Sequence, residues 1–307
     1  MRREQAIQLS SRSNWRQQAL QHIALANLCA TRLKNTILYN SSARLHRWRR
    51  YSYLISYRKC GRTWLSTVLV HYVGHAKGLI TEPLEFTYAP ARKYPELLKY
   101  GNRVVFLHKF HHPGINPEGS HWAFSRCPYN NKPTGFLVRD PRDVLISLYF
   151  HTRSKRGNNS PLDMSPNDFV RNEEFGLPRL IQFYNLQYNY SRTSLGRRVR
   201  FYRYEDLRSE SDSSVDNWME MFNYLFQEPI NRTSLQWALD VNEFEKLKRR
   251  EDMASRSLKR AEGEGRVRQG LSGGYKALLY NDTLRYMNDY IEKHLNDFFA
   301  DYKYRSL

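Results

Sequence analysis

Cysteine is scarce in this chain of 307 residues, which has three, Cys29, Cys60 and Cys127. They lie far apart and form no Cys-x-x-Cys pair, so their spacing argues against a zinc site or a dithiol redox motif. A low and odd count provides no disulfide framework, which favours a reducing compartment. We therefore predict a protein without a bound metal, located in the cytoplasm.

Long apolar runs are also missing. A membrane-spanning helix needs about 18 or more consecutive apolar residues, and no segment approaches that length. The best candidate near the N-terminus, residues 23–30, is short and is interrupted by Asn27. The residues after it do not resemble the small-residue cleavage site of a secretory signal. The sequence therefore predicts a soluble protein with no transmembrane segment.

Acidic residues are few compared with basic ones. The chain has 30 Asp and Glu against 49 Lys and Arg, which gives a formal net charge of +19. Such a charge attracts anions, among them nucleotides, sulfate, acidic glycans, nucleic acids and anionic lipids. The charge alone does not choose between these partners, and a basic surface without a specific partner also accounts for it.

The excess of basic residues is greatest at the N-terminal end. Residues 1–50 contain ten Arg or Lys and one acid, Glu4. A solvated or loosely helical extension accounts for this composition, and so does an Arg-rich transit peptide or a segment that contacts a membrane surface. We interpret residues 1–50 as a basic extension and residues 51–307 as the folded domain.

Strand and helix patterns alternate from residue 51 onwards. Runs rich in aromatic and β-branched residues predict buried strands at residues 53–57, 104–107, 135–138 and 199–202. Helical patterns are found at residues 64–72, 141–151, 215–226 and 282–299. The charged, Gly-rich residues 250–276 indicate a mobile loop. This alternation predicts an α/β fold with a parallel sheet flanked by helices.

A phosphate-binding strand-loop-helix is predicted where the first strand ends. Residues 57–65 read YRKCGRTWL and lie between the first strand and a helix, so backbone N–H groups and the helix dipole favour an anion there. Gly61 allows close approach of the backbone to a ligand. The segment lacks the GxxxxGK[ST] pattern that binds ATP or GTP. The binding candidates in it are Lys59, Cys60, Gly61, Arg62, Thr63 and Trp64.

Two further motifs contain candidates for binding a phosphate. Residues 139–147, RDPRDVLIS, again join a strand to a helix, and Arg139 can form a bidentate contact with a phosphate that Ser147 also reaches. Alternatively, Arg139 pairs locally with Asp143. Residues 268–276, RQGLSGGYK, form a basic Gly-rich loop able to surround a phosphate. Its candidates are Arg268, Gln269 and Gly270.

Together these motifs resemble those of the nucleotide-dependent sulfotransferase family. The family's first loop reads YPKSGTTW, its second motif R-x-P-x-D-x-x-x-S and its third RKGxxGDWK. This chain follows all three in the same order, and residues 204–206 match the family's YED segment. There are departures, because Cys60 stands at a Ser of the family and Gln269 at a Lys.

The resemblance implies a donor and a role for each motif. The donor is 3′-phosphoadenosine 5′-phosphosulfate (PAPS), and its product is 3′-phosphoadenosine 5′-phosphate (PAP). The first loop holds the 5′-phosphosulfate, with Lys59 on the transferred group. Arg139, Ser147 and the Arg268 loop hold the 3′-phosphate, while Trp64, Tyr204 and Phe244 contact adenine. No metal is required.

The resemblance also implies a histidine as catalytic base. The family carries Lys-Thr-His at the end of a strand, and His108 ends the strand predicted at residues 104–107. In this alignment, Phe106 stands at the family's Lys. A second alignment uses Lys109 and His111, which restores the Lys-x-His spacing. We favour His108 because it ends the strand directly. The pKa of an unperturbed histidine, about 6.5, suits a general base.

The predicted function is transfer of a sulfuryl group from PAPS to an acceptor hydroxyl or amine by in-line attack. A basic nucleic-acid-binding protein is one alternative, but it explains the charge and not three motifs in order, so we do not expect a nucleic-acid partner. A nucleotide-binding module without catalysis is the other alternative. The sequence does not identify the acceptor.

Overall fold

A mostly parallel sheet forms the centre of the computed structural model, which describes residues 50–109, 129–154, 164–209, 213–257 and 273–303. Within these residues the strand order is β2-β3-β1-β4-β5. All neighbours pair in parallel except β2, which runs antiparallel to β3. The strands are β1 (Arg50–Ser56), β2 (Lys99–Tyr100), β3 (Arg103–Lys109), β4 (Thr134–Val138) and β5 (Val199–Arg203).

Helices cover the sheet. They are α1 (Arg62–Ala76), α2 (Pro90–Lys93), α3 (Pro141–Ser154), α4 (Pro166–Arg171), α5 (Leu177–Ser191), α6 (Tyr204–Arg208), α7 (Ser213–Phe226), α8 (Arg232–Val241), α9 (Phe244–Ser257) and α10 (Asn281–His294). Short 3-10 turns span Pro95–Leu98, Gly274–Ala277 and Asp297–Tyr302. Among the described residues, no helix is both long and apolar enough to cross a membrane.

The sheet confirms the predicted fold class. Residues 52–56 of β1 and all five residues of β4 are buried, because helices cover both faces of a parallel sheet. Each of the four predicted strands is present, and the antiparallel edge strand β2 was not predicted. The predicted division into residues 1–50 and 51–307 stays a prediction, since residues 1–49 lie outside the described residues.

Two predictions of local structure were wrong. Residues 250–257, predicted as the start of a mobile loop, belong to α9. The high charge of these residues led to the prediction of a loop. The side chains of Leu247 and Glu251 are buried, however, so packing against the domain stabilises a helix despite the polar composition. The final helix was predicted to reach residue 299, but it ends at His294, and Leu295 is extended. A separate 3-10 turn follows, and the side chain of Asn296 caps it by accepting the Phe298 N–H.

The strand order determines where a ligand site forms. The chain passes from β1 to β3 on one side of β1 and then to β4 on the other side. In an open α/β sheet, such a reversal opens a crevice at the carboxyl ends of the strands. The segments that follow β1, β4 and β5 begin at Tyr57, Arg139 and Tyr204. The topology therefore brings the first two motifs and the YED segment to one edge of the sheet.

Candidate active site

The loop between β1 and α1 has the backbone of an anion-binding turn. Lys59 and Gly61 both have positive φ values, 70° and 95°. A Cβ on Gly61 would lie 2.6 Å from ring atoms of Tyr204, so glycine is required by the close ring as well as by its φ. No side chain caps α1 and no acid lies in its first turn. The first-turn N–H groups, which include those of Arg62 and Thr63, can therefore bind an anion.

Arg139 connects the second motif to this loop. It follows β4 directly, and its Nη1 donates a hydrogen bond to the Lys59 carbonyl over 3.3 Å. Its guanidinium carbon lies 4.5 Å from the centre of the Tyr204 ring, within the range of a cation–π contact. One cation is thus held between the first loop and the YED segment, at the edge where the sequence predicted a phosphate site.

The buried hydroxyl of Tyr184, on α5, contacts both the first motif, at Cys60, and the second motif, at Arg139. It donates to the Arg139 carbonyl at 2.8 Å and accepts from the Arg139 N–H at 3.1 Å. The Cys60 sulfur lies 3.5 Å from the same oxygen. Since the hydroxyl proton is directed to Arg139, the thiol is the donor in that contact. Sequence reasoning missed Tyr184 because no motif contains it.

Burial keeps both groups neutral. It raises the pKa of the Cys60 thiol to about 12 and the pKa of the Tyr184 hydroxyl well above its ordinary value. A neutral thiol directed into the core is not available as a nucleophile. Any contribution of Cys60 to anion binding therefore comes from its backbone N–H.

Trp64 and Tyr204 are close together, as the resemblance requires of adenine contacts. Their ring centroids are 5.4 Å apart in an edge arrangement. The Trp64 indole N–H donates to the Asn242 carbonyl at 3.2 Å, which fixes the ring. Arg208 lies between Trp64 and Phe244. Its guanidinium carbon is 5.7 Å from the centre of the Trp64 ring and 5.4 Å from the centre of the Phe244 ring.

Ser147 and Asp143 lie one turn apart on α3, so they share a face of the helix. Ser147 is half-buried. Asp143 is buried, and its carboxylate accepts the Gly273 N–H with both oxygens, at 3.1 and 2.9 Å. Burial raises the pKa of Asp143 to about 6, although the nearby charge of Arg139 and the Gly273 hydrogen bond oppose the shift.

The candidate catalytic bases are described only in part. The backbone of His108 lies in β3 opposite Ile55 of β1, one residue before the strand ends. Its side chain lies outside what the structure describes. His111 and the third-motif candidates Arg268, Gln269 and Gly270 also lie outside the described residues. Among the described residues, no group of His, Cys, Asp and Glu is arranged to hold a metal ion.

Comparison with known proteins identifies the family. A family model described as a sulfotransferase domain matches residues 50–299. This chain belongs to the sulfotransferase domain family. The match covers the whole described sheet of this sulfotransferase, and a nucleic-acid-binding protein is not favoured. No curated protein sequence matches the chain.

Solved structures agree with the fold of this sulfotransferase. Mouse sulfotransferase SULT7A1, complexed with PAP, is 13% identical with a TM-score of 0.55, over 84% of this chain and 89% of the mouse chain. A retinol dehydratase in complex with androsterone and the inactive cofactor PAP is 16% identical with a TM-score of 0.55, over 80% of this chain and 81% of the other. At such identities the likeness demonstrates the fold.

The position of Tyr184 leads to a prediction about stability and nucleotide binding. Tyr184→Phe removes a hydroxyl whose buried partners are then left unsatisfied, so the free energy of unfolding should fall by about 1–3 kcal/mol. The affinity for PAP should fall too, because Arg139 loses its support. Denaturant unfolding and calorimetric titration measure the two effects.

Tyr188→Phe is the matched control. Tyr188 lies one turn further along α5, is half-buried and stacks on Phe298 through its ring, which the substitution keeps. It should leave PAP affinity unchanged. Equal PAP affinity in the two variants would mean that Tyr184 does not support the nucleotide site.

Proposed function

We propose that this sulfotransferase transfers a sulfuryl group from PAPS to an acceptor hydroxyl or amine by in-line attack. The observation that carries the proposal is the contact between Arg139 Nη1 and the Lys59 carbonyl, which brings two anion-binding turns to one edge of the sheet. PAP in both compared structures supports the same nucleotide here. A formal charge of +19 favours an anionic donor.

The described residues fit such a donor. The uncapped start of α1 and the positive-φ loop before it suit the 5′-phosphosulfate, with Lys59 as a point charge on the transferred group. Arg139 and Ser147 suit the 3′-phosphate. Arg268, Gln269 and Gly270, which are proposed for the same phosphate, lie outside the described residues. The rings of Trp64 and Tyr204 provide apolar surface for adenine.

His108 is proposed as the general base. It is near the carboxyl end of β3, beside β1, whose carboxyl end leads into the Lys59 loop. In the proposed mechanism its imidazole takes the acceptor's proton while Lys59 stabilises charge on the leaving oxygen. The site would also accelerate the reaction by holding the acceptor in line with the sulfur and the leaving oxygen. A cytoplasmic location and the acceptor class stay predictions.

The second alternative drawn from the sequence, a nucleotide-binding module without catalysis, is not favoured, because the chain belongs to the sulfotransferase domain family. In the alignment through His108, Phe106 stands at the family's Lys, and it is 37% exposed with its ring centroid 5.0 Å from that of Tyr51. A phenyl ring cannot supply the charge of a lysine there. Turnover of PAPS therefore has to be measured as well as nucleotide binding.

The function is tested by PAP binding and PAPS turnover in the same preparation. At about 100 times its dissociation constant, PAP should add about 2.7 kcal/mol to the free energy of unfolding, because it binds the folded state only. ATP, for which the chain has no GxxxxGK[ST] loop, should give a much smaller shift. A shift with ATP and none with PAP would contradict the assignment, and PAP binding without release of PAP from PAPS would favour the non-catalytic module.

A second prediction distinguishes the two histidines. His108→Ala should lower transfer by roughly 10²–10⁴-fold, the usual contribution of a general base, while PAP affinity stays unchanged. His111→Ala, assayed beside it, should be much milder. If His111→Ala is the inactive variant, the alignment through Lys109 is right. If both variants stay active, neither histidine is the base.

A further inference from the structure

The guanidinium of Arg250, on α9, holds the corner at which the chain turns from α8 into α9. Its Nη2 donates to the Val241 carbonyl and to the side-chain oxygen of Asn242, both at 2.7 Å. Asn242 follows α8 directly and is fully buried, and its amide group donates to the Ala238 carbonyl at 2.7 Å. A cation is favourable at this end of a helix, where carbonyl groups lack partners within the helix.

This corner, residues 241–244, also contacts the proposed adenine site. The backbone carbonyl of Asn242 accepts the indole N–H of Trp64 at 3.2 Å. Phe244 lies two residues further along and begins α9. Trp64 and Phe244 are both proposed adenine contacts, so a shift of the corner would move the partner of one ring and the backbone of the other.

The other arm of the guanidinium holds the segment that follows α1. Nη1 of Arg250 donates to the Leu84 carbonyl at 3.0 Å, and the Leu84 N–H donates to His71 Nε2 at 3.0 Å. His71 Nδ1 lies 2.8 Å from the Thr67 carbonyl, so its proton is on Nδ1 and Nε2 accepts. Burial lowers the pKa of His71 to about 4, which keeps the ring neutral near neutral pH. Because a guanidinium is a rigid fork, contacts on both arms define its position.

We propose that Arg250 is a positioning residue for the adenine of the donor, and that it acts by holding the corner that contacts Trp64 and carries Phe244. The proposal rests on the proposed function, which assigns adenine to these rings. Without the guanidinium, the corner loses three hydrogen bonds, to Leu84, Val241 and Asn242. The rings must then be ordered when the nucleotide binds, which weakens binding.

The proposal is tested with Arg250→Ala and two ligands, PAP and ribose 3,5-bisphosphate, which keeps both phosphates and lacks adenine. The Kd for PAP should rise about tenfold, a loss in the range of one stacked base. The Kd for ribose 3,5-bisphosphate should stay within about threefold of the wild type, because the phosphate turns share no contact with Arg250. A general loss of stability would weaken both ligands alike, so an equal loss for the two would overturn the proposal.

Two further variants separate the contacts of Arg250 from its charge. Arg249→Ala removes the same charge from the neighbouring, exposed position of α9, and PAP should bind it as tightly as the wild type. Arg250→Lys keeps the charge, but one ammonium cannot replace a two-armed fork, so PAP affinity should fall by about threefold or more. Wild-type affinity in Arg250→Lys, or a loss in Arg249→Ala equal to that in Arg250→Ala, would mean that charge alone acts.

Hydrogen exchange of the Trp64 indole N–H tests the positioning without any nucleotide, and its signal is identified by its absence in Trp64→Phe. This proton should exchange faster in Arg250→Ala than in the wild type and Arg249→Ala. Equal protection in all three would contradict the positioning role, whatever the enzyme binds. If the indole responds as expected but the wild type binds no PAP, the proposed function fails, and the donor role of Arg250 fails with it.

Discussion

One buried hydroxyl, that of Tyr184, connects the loop after β1 with Arg139 at the end of β4, the two places proposed to bind the phosphates of the donor. It bonds the carbonyl and the N–H of Arg139 on one side and contacts the Cys60 thiol on the other. A nucleotide with phosphates at both ends of its ribose requires two cationic sites at a fixed separation. Because hydrogen bonds in a buried network depend on one another, loss of this hydroxyl would disturb both sites.

The sheet makes this spacing possible. With β1 between β3 and β4, the segments after β1 and β4 start side by side, although they are far apart in sequence. Tyr204 follows β5 and packs against Gly61 and Arg139. The carboxyl end of β5 therefore contributes to the same edge of the sheet as those of β1 and β4. The proposed donor site is thus a consequence of strand order, and the helices behind it maintain the geometry.

Much of this could be predicted from local sequence. Residues 53–57, which predicted β1, are an aromatic and β-branched run, and the loop with Gly61 follows within a few residues, so strand, loop and helix are all local signals. The contacts of Tyr184 with Cys60 and of Asp143 with Gly273 could not be predicted, because they join residues 124 and 130 positions apart. The C-terminal half of α9, residues 250–257, was also not predicted. Its charge indicated a loop, whereas the helix is stabilised by burial of Leu247.

One nucleotide should bridge the Lys59 loop and Arg139. A crystal structure of the chain with PAP tests it most directly. We expect the 5′-phosphate within hydrogen-bonding distance of the backbone N–H groups at the start of α1, and the 3′-phosphate at the Arg139 guanidinium. PAP bound elsewhere on the basic surface, with both turns free of phosphate, would contradict it.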